Sequence, residues 1–341
     1  MRVLITGATG FLGTALARRL LDEGDEVRVL ARSRSKAAPL VARGAELIEG
    51  DVTDAAAVRA AVAGVAVVYH LAGKLYVSGV PASEYQRIHV EGTRTMLAAC
   101  RAQRGLTRFV HCGTTGVLGA TGATPAAEVA PYAPTNAYEA TKRDAEVLVR
   151  EEAWNGFPAV IVRPGLVYGP GDLHLLGFFK AIQRRLFRPI GRETVWFHPI
   201  YVDDMIEAFV RCGSDPRAVG ECFHIAGREP VTIDTLAATI AGALDVPPPR
   251  GHIPLPAARA VATACDALPA RLRQSAPLTS SRLDFLTHSR VYSVAKARER
   301  LDFSADTPLA VGIGRAADWY RAEGYLPPAR VSEAPQALAR S

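Results

Sequence analysis

A run of glycines near the start of the chain constrains the fold most. Residues 6–13, TGATGFLG, follow a short apolar run that reads as a strand and open a helical pattern over residues 11–21. Gly7 permits a tight turn, Gly10 lets a pyrophosphate approach the backbone, and Gly13 lets the helix pack closely. The helix N-terminus offers N–H groups and a positive dipole end to phosphates. We therefore predict a dinucleotide site here rather than a purely structural turn, with contacts at Gly7, Thr9, Gly10, Phe11 and Leu12.

Short apolar runs alternate with helical patterns through the first half of the chain. The predicted strands are residues 2–6, 27–30, 45–48, 65–69, 109–111 and 159–162. Such alternation is typical of βαβ units and a parallel sheet. The predicted fold class is thus α/β, a Rossmann doubly wound sheet with a smaller C-terminal substrate domain.

The pattern changes after Arg163-Pro164, where a glycine-rich loop begins. We assign residues 1–164 to the dinucleotide-binding domain, with segments at 195–202 and 222–225 as candidates for return to the sheet. Residues 165–194 and 227–330 form the predicted substrate domain, and 331–341 a flexible tail.

Composition excludes several other classes of protein. The 341 residues are 49% hydrophobic, and no window approaches 18 consecutive apolar residues, so a spanning helix is not expected. The five cysteines are scattered without a CxxC pair, which predicts neither a metal site nor a disulfide framework and favours the cytoplasm. The net charge of +6 comes from dispersed arginines, so no nucleic-acid partner is expected.

Tyr138 and Lys142 form a YxxxK segment. Residues four apart share one helix face, so the phenol and the ammonium lie side by side. A nearby lysine favours the phenolate and is expected to lower a tyrosine pKa of about 10. Tyr138 can then exchange a proton with an alcohol or a ketone. A surface helix is the alternative, since a lone YxxxK is common.

The GxxGxxG turn and the YxxxK segment, in this order, resemble the extended short-chain dehydrogenase/reductase family over nearly the whole chain. The resemblance implies that Asp51 and the adjoining Val52 lie at the adenine, although Asp51 could instead cap a helix. It places the segment Leu71-Ala72-Gly73, and Pro164 further on, along the cofactor. Lys142 would also hold the nicotinamide ribose, and Tyr138 would contact the cofactor as well. A single departure is His89, which stands where the family usually has asparagine.

The same resemblance supplies a third catalytic residue. Residues 111–119, HCGTTGVLG, are similar to the family's Ser/Thr segment that ends in glycine. The implied substrate-binding hydroxyl is Thr114, with Thr115 as the alternative. It would hold the substrate oxygen against Tyr138.

The end of the second strand bears on the cofactor. Residues 30–34 read LARSR, without the acidic residue that binds the ribose hydroxyls in many NAD enzymes. The guanidinium of Arg32 suits a 2′-phosphate, which favours NADP, with NAD as the alternative. Arg32 and Arg34 could also be exposed loop charges.

The substrate is predicted to be an apolar, steroid-like or lipid-like secondary alcohol or ketone. Residues 163–171 and 284–297 resemble the 3β-hydroxysteroid dehydrogenase branch, and residues 253–272 are apolar, including Leu255, Val261 and Leu268. Contact with a membrane surface is not expected, since a packing helix explains that segment as well. Arg184, Arg185 and Arg188 could instead grip a diphosphate, which keeps a nucleotide-sugar 4-epimerase or dehydratase as the alternative.

A third hypothesis, a cofactor-binding regulator without catalysis, is disfavoured because Tyr138 and Lys142 are both present. By analogy with the family, the expected assembly is a homodimer, and the expected partner is a small-molecule substrate.

Overall fold

Strands and helices alternate along the chain as the apolar pattern predicts. The computed structural model describes residues 1–268 and 278–328. The strands are β1 (Arg2–Thr6), β2 (Glu26–Ala31), β3 (Glu46–Glu49), β4 (Val67–His70), β5 (Arg108–Cys112), β6 (Gly122–Ala126), β7 (Ala159–Pro164), β8 (Leu166–Tyr168), β9 (Trp196–Phe197), β10 (Pro199–Tyr201), β11 (Cys222–Ile225), β12 (Val231–Thr232) and β13 (Arg290–Tyr292). The six strands predicted in the first half of the chain thus form, with ends shifted by one or two residues.

The helices connect these strands and cover the sheet. They are α1 (Phe11–Asp22), α2 (Arg34–Val41), α3 (Ala55–Val62), α4 (Ala82–Tyr85), α5 (Gly92–Ala102), α6 (Ala137–Trp154), α7 (Leu176–Gln183), α8 (Val202–Ser214), α9 (Ile233–Ala243), α10 (Leu255–Asp266), α11 (Ser280–Thr287), α12 (Ala295–Leu301) and α13 (Leu309–Ala322). A π-helical stretch, Gln86–Glu91, joins α4 to α5, and 3-10 turns cover Thr115–Leu118 and Pro216–Ala218.

A seven-stranded parallel sheet in the order β11-β7-β5-β4-β1-β2-β3 forms the centre of the fold. Alternate side chains of its strands enter two separate cores, because strand side chains alternate between faces. Val3 and Ile5 pack with α1 and α8, whereas Leu4 packs with α3, α5 and α6. Both faces are therefore covered, as expected for a parallel sheet.

The carboxyl ends of the central strands meet at one edge. Thr6 of β1 is in register with His70 of β4, and His70 with His111 of β5. The chain runs from β1 outward to β3 and then returns to β4 on the other side of β1. Such a reversal opens a crevice at the carboxyl ends, where doubly wound sheets bind their ligands.

Three two-stranded sheets lie outside the main one and pair β8 with β10, β9 with β12, and β6 with β13. Of the two segments expected to return to the main sheet, residues 222–225 do so as β11. Residues 195–202 do not: β9 and β10 take part in the small sheets instead, because β8 and β12 provide their edges.

The domain boundaries drawn from the sequence stay a prediction. The tail 331–341 and residues 269–272 of the apolar segment lie outside the described residues.

Candidate active site

The glycine turn lies at the carboxyl end of β1 with little room for side chains. Gly7 has a φ of +73°, and a Cβ there would stand 2.7 Å from the backbone of Leu71. A Cβ on Gly13 would stand 2.2 Å from the Gly7 carbonyl oxygen, so the third glycine packs on the turn itself. Gly10 precedes α1 and brings no side chain to cap its N–H groups. These N–H groups are available to an anion, which fits the pyrophosphate of a dinucleotide.

The end of β4 is tied to this turn through a buried histidine, His70, which belongs to the segment that the family resemblance places along the cofactor. The Thr6 hydroxyl lies 2.9 Å from His70 Nδ1 and accepts from the Ala72 N–H at 3.1 Å. His70 Nε2 lies 3.0 Å from the Thr93 hydroxyl on α5. The segment from Leu71 to Gly73 therefore has a fixed path beside the glycine turn.

Asp51 follows β3 and is partly exposed. Its Oδ1 accepts from the backbone N–H and the hydroxyl of Thr53, while α3 is capped by Asp54. Arg87 and Arg32 approach its carboxylate at 3.4 and 3.7 Å. Burial raises the pKa of Asp51, but the hydrogen bonds from Thr53 and the two guanidinium groups outweigh it, so the pKa lies below its ordinary value.

Neighbours of Asp51 differ in what they can offer a cofactor. The Val52 side chain is buried. The Arg32 side chain is 70% exposed and can reach a bound anion. Arg87, a second cation beside Asp51, has no motif of its own and was missed from the sequence.

Further along the crevice, Phe11 meets the loop that follows β8. A Cβ on Gly171 would stand 3.3 Å from the Phe11 ring. Pro164 ends β7, and its carbonyl accepts from the Thr115 hydroxyl at 2.9 Å. The candidate cofactor residues from β1, β4 and β7 thus share the carboxyl edge of the sheet.

The catalytic candidates come together where β5 meets α6. Thr114 follows β5, and its hydroxyl lies close enough to the Tyr138 phenol to lower the pKa of that phenol. Tyr138 is in the first turn of α6, which begins after the Asn136 cap. Lys142 lies one turn further along and donates to the Cys112 carbonyl at 2.6 Å. Tyr138 and Thr114 are partly exposed, whereas Lys142 is buried.

The pKa of Tyr138 is shifted in the direction opposite to the sequence-based expectation. Burial raises the pKa of the phenol, and the nearby Thr114 hydroxyl opposes this only in part. Burial also lowers the pKa of Lys142, although Glu146, four residues further on, raises it again. Desolvation thus outweighs the expected influence of the lysine. At neutral pH, Tyr138 is a protonated phenol that can donate to a carbonyl oxygen.

Thr115, the alternative to Thr114, points away from Tyr138. It is buried, donates to the Pro164 carbonyl and lies near the Tyr292 hydroxyl. Since β13 contains Tyr292, this contact joins the catalytic loop to the C-terminal part of the chain.

These placements predict different results for the two neighbouring threonines. Thr114→Val should lower kcat about 5- to 150-fold, because the substrate oxygen loses a hydrogen bond worth about 1–3 kcal/mol. Thr115→Val is the matched control: it should lower the free energy of unfolding by about 1 kcal/mol and leave kcat within about twofold. Steady-state kinetics and urea unfolding of both variants check this. The reverse pattern would assign the catalytic hydroxyl to Thr115.

His89 lies against the catalytic helix. Its Nδ1 is 2.9 Å from the Thr141 hydroxyl, and its Nε2 accepts from the Lys74 N–H at 3.1 Å. Burial lowers the pKa of His89 to about 3, so the ring is neutral near pH 7. Because Nε2 is an acceptor, the proton is on Nδ1 and is donated to Thr141. His89 thus links the segment after β4 to the helix of Tyr138.

Glu146 extends the face of α6 that carries Tyr138 and Lys142. It is buried and receives two hydrogen bonds from Arg163, at 3.0 and 2.7 Å, and one each from Arg150 and Tyr132. Burial raises its pKa, but these partners outweigh it and hold the pKa below its ordinary value. The four-residue spacing from Lys142 was the sequence signal that could have identified Glu146.

Three further features bear on the sequence analysis: metal ligands, membrane-spanning helices and the apolar segment 253–272. In residues 1–268 and 278–328, no group of three or more histidine, cysteine or acidic side chains could hold a metal ion. Among the described helices, none is long and apolar enough to cross a membrane. Leu255 is partly buried on α10, whereas Val261 is exposed.

Comparison with known proteins identifies the family of this chain. The sequence model of the NAD dependent epimerase/dehydratase family matches residues 3–226. A 2-alkyl-3-oxoalkanoate reductase from Stenotrophomonas maltophilia is 32% identical over 92% of this chain and 98% of its own length. A 3β-hydroxysteroid dehydrogenase/Δ5→4-isomerase from Mycobacterium tuberculosis is 29% identical over 89% of this chain and 85% of its own.

Solved structures share the fold. The crystal structure of gox2253 has a TM-score of 0.78 at 25% identity and covers 95% of this chain and 99% of its own. A UDP-glucuronic acid 4-epimerase from Bacillus cereus has a TM-score of 0.75 at 22% identity, and the match covers 96% of this chain and 100% of the epimerase. With its glycine turn and Tyr-Lys helix at one sheet edge, the chain belongs to the NAD-dependent epimerase/dehydratase family and is an NAD(P)-dependent dehydrogenase/reductase of the extended short-chain type.

Proposed function

We propose that this enzyme reduces the ketone of an apolar, lipid-like or steroid-like substrate to a secondary alcohol, or catalyses the reverse reaction. The observation that carries the proposal is the placement of the partly exposed Tyr138 and Thr114 together with Lys142 at the carboxyl edge of the sheet, where β5 meets α6. A protonated phenol at this place is ready to donate a proton to a ketone oxygen.

Thr114, Tyr138 and Lys142 have different roles in this reaction. Thr114 hydrogen-bonds to the substrate oxygen and orients it toward Tyr138. The phenol donates its proton to that oxygen as negative charge develops there, and the Lys142 ammonium stabilises the resulting phenolate by its positive charge. Lys142 would hold the ribose of a nicotinamide dinucleotide, which when bound would supply the hydride that the carbonyl carbon needs.

The residues around the crevice fit a dinucleotide. The turn at Gly7 admits no Cβ, and the start of α1 presents free N–H groups, as a pyrophosphate requires. Beyond β2, the exposed Arg32 takes the place of an acidic residue and favours NADP. Its present partner, Asp51, is held at 3.7 Å, a contact loose enough for a phosphate to replace.

Arg32→Ala should therefore weaken the binding of NADPH more than that of NADH, by about 1–3 kcal/mol. Only NADPH offers a dianionic 2′-phosphate to the guanidinium. Kd values for both cofactors, measured by fluorescence titration, check this. Arg43→Ala, which removes a cation that pairs with Asp22 far from the crevice, is the control. Equal losses for the two cofactors, or a wild type that prefers NADH, would contradict the assignment.

The names of the relatives support an apolar substrate. They include the 2-alkyl-3-oxoalkanoate reductase, the 3β-hydroxysteroid dehydrogenase and a ketoreductase from Stigmatella aurantiaca for a farnesyl-bearing quinoline oxide, which is 30% identical over 77% of this chain. These compounds share a ketone or secondary alcohol next to an apolar chain or ring system.

The alternative is a nucleotide-sugar epimerase or dehydratase. Its support is the similarity to the UDP-glucuronic acid 4-epimerase, which at 22% identity extends to the fold alone. Of the arginines that could grip a diphosphate, Arg188 donates to the carbonyls of Arg185 and Phe187 in its own loop. This leaves the apolar ketone as the better-supported substrate.

A substrate panel tests the proposal. The purified enzyme is mixed with NADPH or NADH and with 3-oxo esters, steroid ketones, UDP-glucose or dTDP-glucose, and absorbance at 340 nm is followed. We expect absorbance to fall with one or more apolar ketones. Conversion of a nucleotide sugar without net consumption of the cofactor, and no turnover of any apolar ketone, would overturn the proposal.

A further inference from the structure

Two side chains hold the segment Lys74–Val77, which follows the cofactor-facing end of β4. His89 Nε2 accepts from the Lys74 N–H at 3.1 Å. The Tyr85 hydroxyl accepts from the Val77 N–H at 2.7 Å and donates to the Val77 carbonyl at 3.2 Å. Both ends of the 74–77 segment are thus fixed by buried aromatic rings four residues apart.

The same two rings lie against the catalytic tyrosine. The ring centroids of His89 and Tyr138 are 5.5 Å apart and those of Tyr85 and Tyr138 are 6.3 Å apart, both edge-on. The second nitrogen of His89 reaches Thr141 on α6. His89 lies in the π-helical stretch, an irregular backbone that is frequent at functional sites. The 74–77 segment is therefore fixed relative to Tyr138.

The distance between the segment and the reacting groups is short. A Cβ built on Gly73 would lie 3.5 Å from His89 Nε2 and 3.9 Å from the Lys142 ammonium. Leu75 is two residues further on, and two residues span at most about 7 Å. The middle of the segment therefore lies at the border of the catalytic site.

The side chains at the middle of the segment are apolar and face solvent. Leu75 is 60% exposed and Tyr76 37% exposed, although the backbone on either side of them is held firmly. Covering such groups with an apolar ligand removes both surfaces from water. A fixed backbone also spares the ligand the entropy of ordering a loop.

We propose that the 74–77 segment determines substrate specificity, with Leu75 and Tyr76 contacting the apolar chain of the substrate whose ketone is held by Tyr138 and Thr114. This inference rests on the proposed function and adds the part of the site that distinguishes long apolar substrates from short ones. Tyr85 and His89 are positioning residues for this segment.

The experiment uses a homologous series of ethyl 3-oxo esters, from ethyl 3-oxobutanoate to ethyl 3-oxodecanoate, with the full-length enzyme and saturating cofactor. In the wild type, kcat/KM should rise by up to about fourfold for each methylene that the segment covers. Leu75→Ala should lower kcat/KM about tenfold for the longest ester and by less for each shorter one. Tyr85→Phe keeps the ring but removes the hydroxyl that holds Val77. In this variant, kcat/KM should depend less on chain length than in the wild type.

Val41→Ala is the matched control, because Val41 is also an exposed apolar residue but ends α2 at the opposite edge of the sheet. This variant should have the same kcat/KM as the wild type for every ester of the series. If Leu75→Ala lowers kcat/KM equally for all chain lengths, or for none, the inference is overturned while the proposed function stands. If the wild type reduces no ester of the series and no ketone of the substrate panel, the proposed function fails and this inference with it.

Discussion

Replacing Tyr138 with phenylalanine is expected to lower kcat at least about 100-fold, the contribution of a general acid placed at the reacting oxygen. The ring remains, so its edge contacts with Tyr85 and His89 are kept. Only the phenolic oxygen and its proton are lost. Cofactor affinity should change little, because the glycine turn and the end of β4 are separate from this hydroxyl.

Stopped-flow measurement of single-turnover reduction together with fluorescence titration of NADPH separates the two effects. A Kd for NADPH within about threefold of the wild type would match retained cofactor hydrogen bonds and dipole contacts. Turnover close to that of the wild type would remove Tyr138 from its role as the proton donor. A loss of cofactor binding as large as the loss of turnover would indicate a structural role instead.

Arg163→Met is expected to lower the free energy of unfolding by about 3–5 kcal/mol, the usual cost of removing one partner from a buried ion pair. Arg163 is 1% exposed, and the Glu146 carboxylate that it contacts is fully buried. Arg163 also donates to the Glu128 carbonyl at 3.1 Å, which would lose that partner. Urea unfolding at pH 7, followed by circular dichroism, measures the change.

The pH dependence of stability gives an independent check. Because the folded pKa of Glu146 is below its unfolded value, its contribution is present above the unfolded pKa and is lost as the pH falls through the folded pKa. Without Arg163, burial prevails and the pKa of Glu146 rises. The variant should therefore lose less stability than the wild type between pH 7 and pH 4.

The double variant Glu146→Gln/Arg163→Met is the control for the ion pair. It should recover part of the lost stability, because it leaves no uncompensated buried carboxylate. If Arg163→Met lowers the free energy of unfolding by less than about 1 kcal/mol, Arg150 and Tyr132 suffice to stabilise the charge of Glu146.

The sequence predicted those parts of the molecule that local patterns determine. The strands β1 to β5 and β7 follow from short apolar runs between helical patterns, and the turn at Gly7 follows from glycine spacing. The Tyr138–Lys142 pair follows from the period of one helix. Family resemblance placed Thr114 five residues before a glycine, and the structure brings it to Tyr138.

The remaining features depend on contacts between distant segments. Arg87 acquires its role from Asp51, 36 residues earlier in the chain. Tyr85 and Glu146 acquire theirs from partners on other elements, and only the four-residue spacing from Lys142 to Glu146 is visible in the sequence. The pKa of Tyr138 could not be anticipated from Lys142 alone, because it depends on how much protein surrounds the phenol. The homodimer and the cytoplasmic location stay predictions.

The edge strand β11 affects the order in which the protein can assemble during synthesis. Its partner β7 is buried along its whole length, yet residues 165–221 must be made before β11 can pair with it. Until then, the nascent chain presents an unpaired apolar edge that can pair with other chains. A chain cut after residue 164 would therefore lack an edge strand of the seven-stranded sheet, because β11 follows residues 165–221.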